Sequence, residues 1–151
     1  MKVVLKKAQK SDCKLLFDWA NDEDVRNNAF NPKKIEYAEH LKWFNQKIED
    51  KNVSIFIVYL EDKPVGQIRI EKKNKIGVIS YSVDNEHRGI GIGTKILKQI
   101  KVSFDKRICS IEGYVKIDNL ASRRAFVKAG YKEKIEGDVV KYSCEMFEEK
   151  R

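Results

Sequence analysis

The stretch Val83–Lys98 reads V-D-N-E-H-R-G-I-G-I-G-T-K-I-L-K, and its reading decides the fold. An apolar run, Ile76 to Val83, leads into it, and Ile92, Ile96, Leu97 and Ile100 lead out at helical spacing. Between strand and helix lie Arg88 and three glycines, Gly89, Gly91 and Gly93. Glycine accepts the backbone angles of a tight turn. A helix N-terminus adds unpaired N–H groups and a partial positive charge. A glycine turn feeding a helix is therefore an anion cradle of phosphate size.

Two phosphate loops are excluded by spacing. A Walker A loop needs G-x-x-x-x-G-K-[ST]; here Gly93 is followed by Thr94 and Lys95, and no glycine stands at the required distance before it. The dinucleotide fingerprint G-x-G-x-x-G begins with Gly89 and Gly91 but meets Thr94 where its third glycine belongs. What remains is R-x-x-G-x-G, Arg88 to Gly93, between a strand and a helix.

Working outward, Lys2–Lys7 reads as a first strand, and Ser11 as the N-cap of a helix carrying Leu15, Leu16, Trp19 and Ala20. Asn21–Asp24 ends that helix and starts another, and Asn27–Pro32 is a loop. Tyr37, Leu41, Phe44 and Ile48 mark one face of a further helix. The period then changes to three strands, Val53–Leu60, Val65–Ile70 and Ile76–Val83. After the glycine loop the pattern predicts a helix to about Phe104 and a strand Ile108–Val115. A helix capped by Asp118 then runs to Ala129 and stops at Gly130. Tyr131–Ile135 and Val139–Met146 form a hairpin about Gly137-Asp138. Hairpins mixed with strand–helix–strand units give an α/β sheet with helices on both faces.

The 151 residues suit one domain, and 42% apolar with 36% charged residues is a soluble composition. The start M-K-V-V-L-K-K-A lacks the apolar stretch of a signal peptide, and the longest apolar run, Ile55–Leu60, is too short for a bilayer. The expected compartment is the cytoplasm, with no membrane partner. Cys13, Cys109 and Cys144 are odd in number and widely spaced, which argues against disulfides and zinc; Cys109 reads as a small core residue in a strand. With only His40 and His87 present, no metal site is expected. The net charge is +8, but the lysines are scattered among acids, with no basic arm or RNA-binding signature, so nucleic acid is not the expected partner. A polyanionic ligand and a merely solvated surface both account for the charge.

A second signature, Asn119–Tyr131, reads N-L-A-S-R-R-A-F-V-K-A-G-Y. It matches N-x-x-[AS]-x-x-x-[YF]-x-x-x-G-[FY] through Asn119, Ser122, Phe126, Gly130 and Tyr131. With Arg88–Gly93, in that order and on those elements, the chain resembles the GNAT superfamily of N-acetyltransferases over nearly its whole length. The resemblance implies the acyl-CoA N-acyltransferase fold, a central mixed and mostly antiparallel sheet with helices on both faces. It also implies acetyl-CoA as co-substrate, a primary amine as acceptor, and compatibility with a homodimer.

By position, the resemblance assigns the CoA pyrophosphate to Arg88, Gly89, Ile90, Gly91, Ile92, Gly93 and Thr94, mostly through main-chain N–H groups. Tyr81 to Val83, with Ser82, would pair with the pantetheine arm like an added strand. Asn119 would bond that arm or support the site, and Ser122 and Phe126 would lie near the thiol. Arg123, Arg124 and Lys128 would reach the 3′-phosphate or simply cover a solvated helix face. Many relatives carry a proton-donating tyrosine where Phe126 stands and a basic glutamate where Val78 stands. The acid is thus left to Ser122, a water or none, and the base to Tyr81, Glu86 or a water. Tyr81 and Ser122 are the candidate catalytic residues, Tyr81 reading equally as a strand aromatic.

The segments Trp19–Pro32 (W-A-N-D-E-D-V-R-N-N-A-F-N-P) and Glu39–Phe44 (E-H-L-K-W-F) are similar to a subgroup that acetylates the 4-amino group of UDP-linked aminodideoxy sugars. Related segments occur in ribosomal-protein N-terminal acetyltransferases. For a sugar acceptor, Arg26 would meet phosphate, Asn28 a hydroxyl, and Phe30 or Trp43 a ring face. Trp43 reads equally as core, Arg26 as a surface ion-pair partner and His40 as an ordinary helix residue. Three functions follow: transfer to a nucleotide-sugar amine, transfer to protein N-termini, or acetyl-CoA binding without catalysis.

Overall fold

In the computed structural model, which describes residues 2–103 and 107–146, the strands are β1 (Val3–Lys7), β2 (Val53–Leu60), β3 (Lys63–Lys73), β4 (Ile76–Val83), β5 (Ser110–Lys116), β6 (Lys132–Glu136) and β7 (Val139–Glu145). The α-helices are α1 (Cys13–Ala20), α2 (Glu23–Asn28), α3 (Tyr37–Glu49), α4 (Ile92–Gln99) and α5 (Leu120–Lys128). One sheet runs in the order β1-β2-β3-β4-β5-β7-β6. Every neighbouring pair is antiparallel except β4 and β5, which are parallel. This is the expected mixed, mostly antiparallel α/β sheet.

β2 shows why both faces are covered. Its odd residues Val53, Ile55 and Ile57 pack with Cys13, Leu16 and Trp19 of α1 and Phe44 of α3. Its even residues Phe56, Val58 and Leu60 join the other layer, with Ile92, Ile96 and Leu97 of α4 and Phe126 of α5. A strand alternates its side chains between faces, so an unbroken apolar run needs a layer on each side. Among the described residues no helix is long and apolar enough to cross a membrane.

Several boundaries differ from expectation. Ser11 is not a cap: it lies in a 3-10 turn, Lys10–Asp12, whose Asp12 carboxylate accepts the Gln9 N–H at 2.8 Å. α5 is capped by Asn119, not Asp118, through the Ser122 N–H at 3.4 Å. β3 begins before Pro64, which sits opposite Tyr59 where the register shifts, so its missing N–H breaks no regular ladder. Cys109 precedes β5 and its side chain is exposed, not core; its backbone is held by the Lys75 carbonyl and the Met146 N–H. The helical pattern after the glycine loop ends as a 3-10 turn at Val102, and Phe104 lies outside the described residues.

α3 is rotated relative to the Tyr37–Leu41–Phe44–Ile48 face. Tyr37 and Leu41 are exposed, whereas His40 and Phe44 are buried. The imidazole explains the rotation. His40 Nε2 lies 3.0 Å from the Cys13 carbonyl, which can only accept, so Nε2 carries the proton. Phe17, Tyr37, Trp43 and Phe44 ring it at centroid distances of 5.4 to 6.5 Å. His40 is thus a structural core histidine.

Candidate active site

β4 and β5 pair only from Ile76–Ser110 to Ile79–Gly113. Beyond that, Ser80 to Val83 keep β3 on one side, and Tyr114 to Lys116 keep β7, but the two strands no longer pair with each other. Strand backbone without a ladder partner is a ready place for an extended amide-bearing ligand. The splay opens a cleft of about 890 Å³, with Ser82 and Val83 on one wall and the glycine loop at its end.

The loop has the form its sequence requires. Gly89 and Gly91 have φ of 81° and 88°, the left-handed region that costs other residues. A Cβ at either would meet no atom within 4 Å, so conformation, not crowding, is what calls for glycine. Gly91 is the N-cap of α4 and supplies no side-chain cap. Its carbonyl takes the Lys95 N–H at 3.2 Å, leaving the first-turn N–H groups for an anion. Gly93 has a different reason: a Cβ there would lie 3.3 Å from the Tyr81 ring. Ile90 is exposed and Ile92 is fully buried, so Ile92 offers the loop only its main chain. These features suit a pyrophosphate.

The Arg88 side chain turns away from this anion site. Its Nε donates to the Val83 carbonyl at 3.0 Å, Nη2 to Asp22 at 2.8 Å and Nη1 to Asp24 at 3.0 Å. It therefore ties the loop to the start of α2. Burial works against charge on Asp22, but the Arg88 bond and the Val25 N–H outweigh it and hold its carboxyl below the usual range.

Tyr81 and Ser122 are brought together, their hydroxyls 2.9 Å apart, and both line the cleft. Burial pushes the Tyr81 phenol up, despite its bond to Ser122. It holds its proton at neutral pH and is a donor rather than a base. Phe126 also reaches the cleft wall but is 2% exposed, stacked 4.6 Å from Tyr142 and edge-on to Tyr81 and Tyr131. Asn119 lines the cleft while capping α5. Arg124 and Lys128 lie on the wall; Arg123 instead donates to the Ile117 carbonyl and pairs with Glu133.

On the α2 side, Arg26, Asn28 and Phe30 line the cleft. Arg26 is not in a surface ion pair: it donates to the carbonyls of Ala20, Asn31 and Lys33 at 2.7 to 3.1 Å, shaping the loop that presents Phe30. Phe30 is 58% exposed on the cleft wall, open to a ligand's ring face. Trp43 is not on the cleft wall. Its ring carries the Arg69 guanidinium at 5.0 Å, and Arg69 does line the cleft.

Among the cleft residues that sequence reasoning missed are Arg69, Tyr114 and His87. Arg69 and Tyr114 sit on strands with no motif to mark them. His87 is held by Asp84, whose Oδ2 lies 2.9 Å from Nδ1. The Trp19 indole donates to the other Asp84 oxygen at 2.9 Å. Burial disfavours the Asp84 charge, but bonds from Trp19, His87 and the Glu86 N–H prevail and hold its carboxyl low. The sequence signal was D-x-x-H at the end of a strand, legible only once Trp19 is known to pack there.

Comparison with known proteins accords with this geometry. A model of the family described as "Acetyltransferase (GNAT) domain" matches residues 2–132. Acetyltransferase PseH of Campylobacter jejuni is 25% identical over 114 residues, covering 72% of this chain and 69% of that protein. RimL, a ribosomal alpha-N-protein acetyltransferase solved with coenzyme A, superposes with a TM-score of 0.82 at 16% identity, over 97% of this chain and 95% of the other. Spermidine N-acetyltransferase of Vibrio cholerae, solved with CoA and spermine, gives 0.83 at 16% identity, over 96% of each chain. At such identities the two structures establish a shared fold and no more.

Proposed function

The chain belongs to the GNAT acetyltransferase family, and from that premise we propose that its acceptor is the 4-amino group of a UDP-linked aminodideoxy sugar. It is an N-acetyltransferase, and acetyl-CoA supplies the acetyl group as an activated thioester. The acceptor proposal rests first on the charge of the cleft. Among the described residues Asp24 is the one acidic side chain on its wall, against Arg26, Arg69, Arg88, Arg124 and Lys128. Arg88 is closed on Asp22 and Asp24 and Arg69 on Glu71, which leaves Arg26, Arg124 and Lys128 as the wall cations without a carboxylate partner among the described residues. Such a wall repels a polyamine such as the spermine held by the Vibrio cholerae neighbour. It attracts the diphosphate of a nucleotide sugar. The likeness of Trp19–Pro32 and Glu39–Phe44 to the sugar-acetylating subgroup and the PseH relationship point the same way.

On this reading residues 1–151 act as one catalytic domain, in the cytoplasm where both substrates are made. The main chain of Arg88 to Thr94 grips the pyrophosphate, and Ser82 and Val83 pair with the pantetheine arm. Asn119, Ser122 and Phe126 flank the thiol end, and Arg124 and Lys128 meet the 3′-phosphate. Asn28 and Phe30 contact the sugar, Arg26 fixes their loop, and Trp43 acts through Arg69. A main-chain N–H of the splayed strand stabilises charge on the reacting carbonyl oxygen. The Tyr81–Ser122 pair donates toward the departing sulfur; the raised phenol supports that role and speaks against Tyr81 as base. Since a thiol's pKa is about 8.5, this help is modest.

The test offers acetyl-CoA with a UDP-4-amino-dideoxy sugar, spermine, kanamycin or a peptide with a free N-terminus, and follows thiol release. The nucleotide sugar is expected to exceed the others by about 100-fold in kcat/KM, a discrimination within reach of charge and shape. Turnover of the polyamines or of peptide N-termini alone refutes the acceptor assignment.

A further inference from the structure

Where β4 and β5 part, three side chains on adjacent strands form one row. Arg69 of β3 pairs with Ser80 of β4, and Tyr114 follows Gly113, the last β5 residue paired with β4. All three line the cleft. Side chains alternate along a strand, so this row faces α3, whose Trp43 ring carries the Arg69 guanidinium at 5.0 Å. Tyr81 and Gly113 turn to α5 instead. The Tyr81 and Ser122 hydroxyls are 2.9 Å apart, and a Cβ at Gly113 would lie 2.6 Å from the Phe126 Cζ. The row thus stands one residue, roughly 3.4 Å along the strands, from the groups assigned to the thiol end, on the opposite face of the sheet.

Behind it lies a second row, Glu71, Val78 and Glu112, paired across the same three strands. Its carboxylates hold the first row in place. Glu71 accepts the Arg69 Nε–H at 2.8 Å, and Glu112 accepts the Tyr114 hydroxyl at 2.9 Å. A lysine backs each of them, Lys47 at 3.0 Å and Lys141 at 3.4 Å. The two groups so fixed present opposite polarity to the cleft. Arg69 has only donors, and its Nη groups have no partner among the described residues. The Tyr114 hydroxyl has its one proton committed to Glu112, which leaves its oxygen only lone pairs to offer. Burial, and next the bond to Glu112, push the Tyr114 phenol up, so it keeps that proton at neutral pH. Tyr114 is 42% exposed, and its oxygen is open to a ligand in the cleft.

We propose that Tyr114 receives the acceptor amine, its hydroxyl oxygen accepting an N–H of the amine, and that Arg69, facing it across the fork, donates to an oxygen of the same molecule. Glu112 is the positioning residue: it holds the phenol proton away from the cleft, so that a donor and not another acceptor is recognised there. The amine is thereby aimed at the level where the acetyl group is presented between the strands. The inference rests on amine acetylation, not on which amine is acetylated.

The experiment compares wild type with Tyr114→Phe, Glu112→Gln, their double variant and Arg69→Lys, by initial rates against the amine and by calorimetry with acetyl-CoA. The amine is the UDP-4-amino sugar or, if that is not turned over, whichever amine of the panel is, so this assignment and that of the acceptor fail separately. Tyr114→Phe should raise the amine KM about tenfold and leave kcat within about threefold, because the contact is made before as well as during reaction. Glu112→Gln puts an N–H donor against the phenol oxygen and should raise KM by a similar factor. The double variant should then be no worse than Tyr114→Phe alone, since Glu112 acts through the hydroxyl. Arg69→Lys keeps the charge but loses the fork, and should raise the same KM about tenfold. The acetyl-CoA Kd should stay within about twofold throughout. A wild-type KM in Tyr114→Phe, additive losses in the double variant, or an acetyl-CoA Kd rising in step with the amine KM overturns the role of Tyr114. A wild-type KM in Arg69→Lys overturns that of Arg69.

Discussion

Replacing Gly66 with alanine tests whether the splayed strand is rigid. A Cβ at Gly66 would lie 2.6 Å from the Ser82 carbonyl oxygen, whereas real Cβ atoms essentially never come within 3.0 Å of a neighbour. The strands must therefore part by at least about 0.4 Å. The obstacle is main chain, and it is pinned. Gly66 pairs with Val83, the Asp84 N–H donates to the Val65 carbonyl at 2.8 Å, and Arg88 holds the Val83 carbonyl at 3.0 Å. Overpacking that neighbours cannot relieve costs about 1–3 kcal/mol. In a chain of this size each kcal/mol lowers Tm by about 2–4 °C, so a fall of roughly 3–10 °C is expected. The acetyl-CoA Kd by calorimetry should rise more than about tenfold, because Ser82 and Val83 are the strand residues assigned to the pantetheine arm. Gly77→Ala is the matched control. Its Cβ also lies 2.6 Å from an atom, but that atom is the Ile70 Cδ1, the end of a flexible side chain. It should cost about 1 kcal/mol or less and leave acetyl-CoA binding intact. Wild-type stability and affinity in Gly66→Ala, or equal damage in Gly77→Ala, would refute the reasoning.

Two further outcomes are expected. Gly91→Ala meets no neighbour but forfeits the left-handed φ of 88°, at about 1–2 kcal/mol, whereas Gly91→Glu also puts a carboxylate in the cradle and should abolish acetyl-CoA binding; equal calorimetric affinities for the two would move the pyrophosphate elsewhere. Acid should unfold the protein in two stages. Burial lowers His40 below its ordinary 6.5, against the bond to Cys13, so its contribution is complete above about pH 6.5 and is lost as pH falls through the lower folded value. Asp22, Asp84 and Glu71 are lowered from 3.8, 3.8 and 4.5, so theirs is lost only below about pH 4.5. Tm measured from pH 8 to pH 3 at constant ionic strength should show both descents, and His40→Gln should remove the first; a flat profile between pH 6.5 and 5 would contradict a neutral, buried His40.

The legible parts of the site are those whose reason is local. Arg88–Gly93 declared a turn and a helix start because positive φ and an uncapped helix are properties of adjacent residues. Asn119–Tyr131 declared a capped helix and its stop for the same reason, although the cap proved to be Asn119 and not Asp118. The apolar run of Val53–Leu60, interrupted only by Ser54, read as a strand, and it proves to be covered on both faces. Tyr37 and Leu41 misled because their spacing fits a helical face, while the face that packs is chosen by His40 reaching the Cys13 carbonyl across 27 residues.

From the amino acids alone come the α/β architecture and the expectation of an anion cradle, each resting on spacings within a turn or two of chain, and the family resemblance, which implies acetyl-CoA as co-substrate. The partners of the side chains were decided only by the folded chain. Arg88 looked like a phosphate ligand until α2 brought Asp22 and Asp24 to it. Tyr81 could have been base or core until α5 set Ser122 against its hydroxyl and burial kept its proton in place. Asp84 had no visible partner until Trp19, 65 residues away, set its indole against the carboxylate. A charge or a proton is governed by what stands within a few ångströms, and for these residues the nearest groups come from distant sequence.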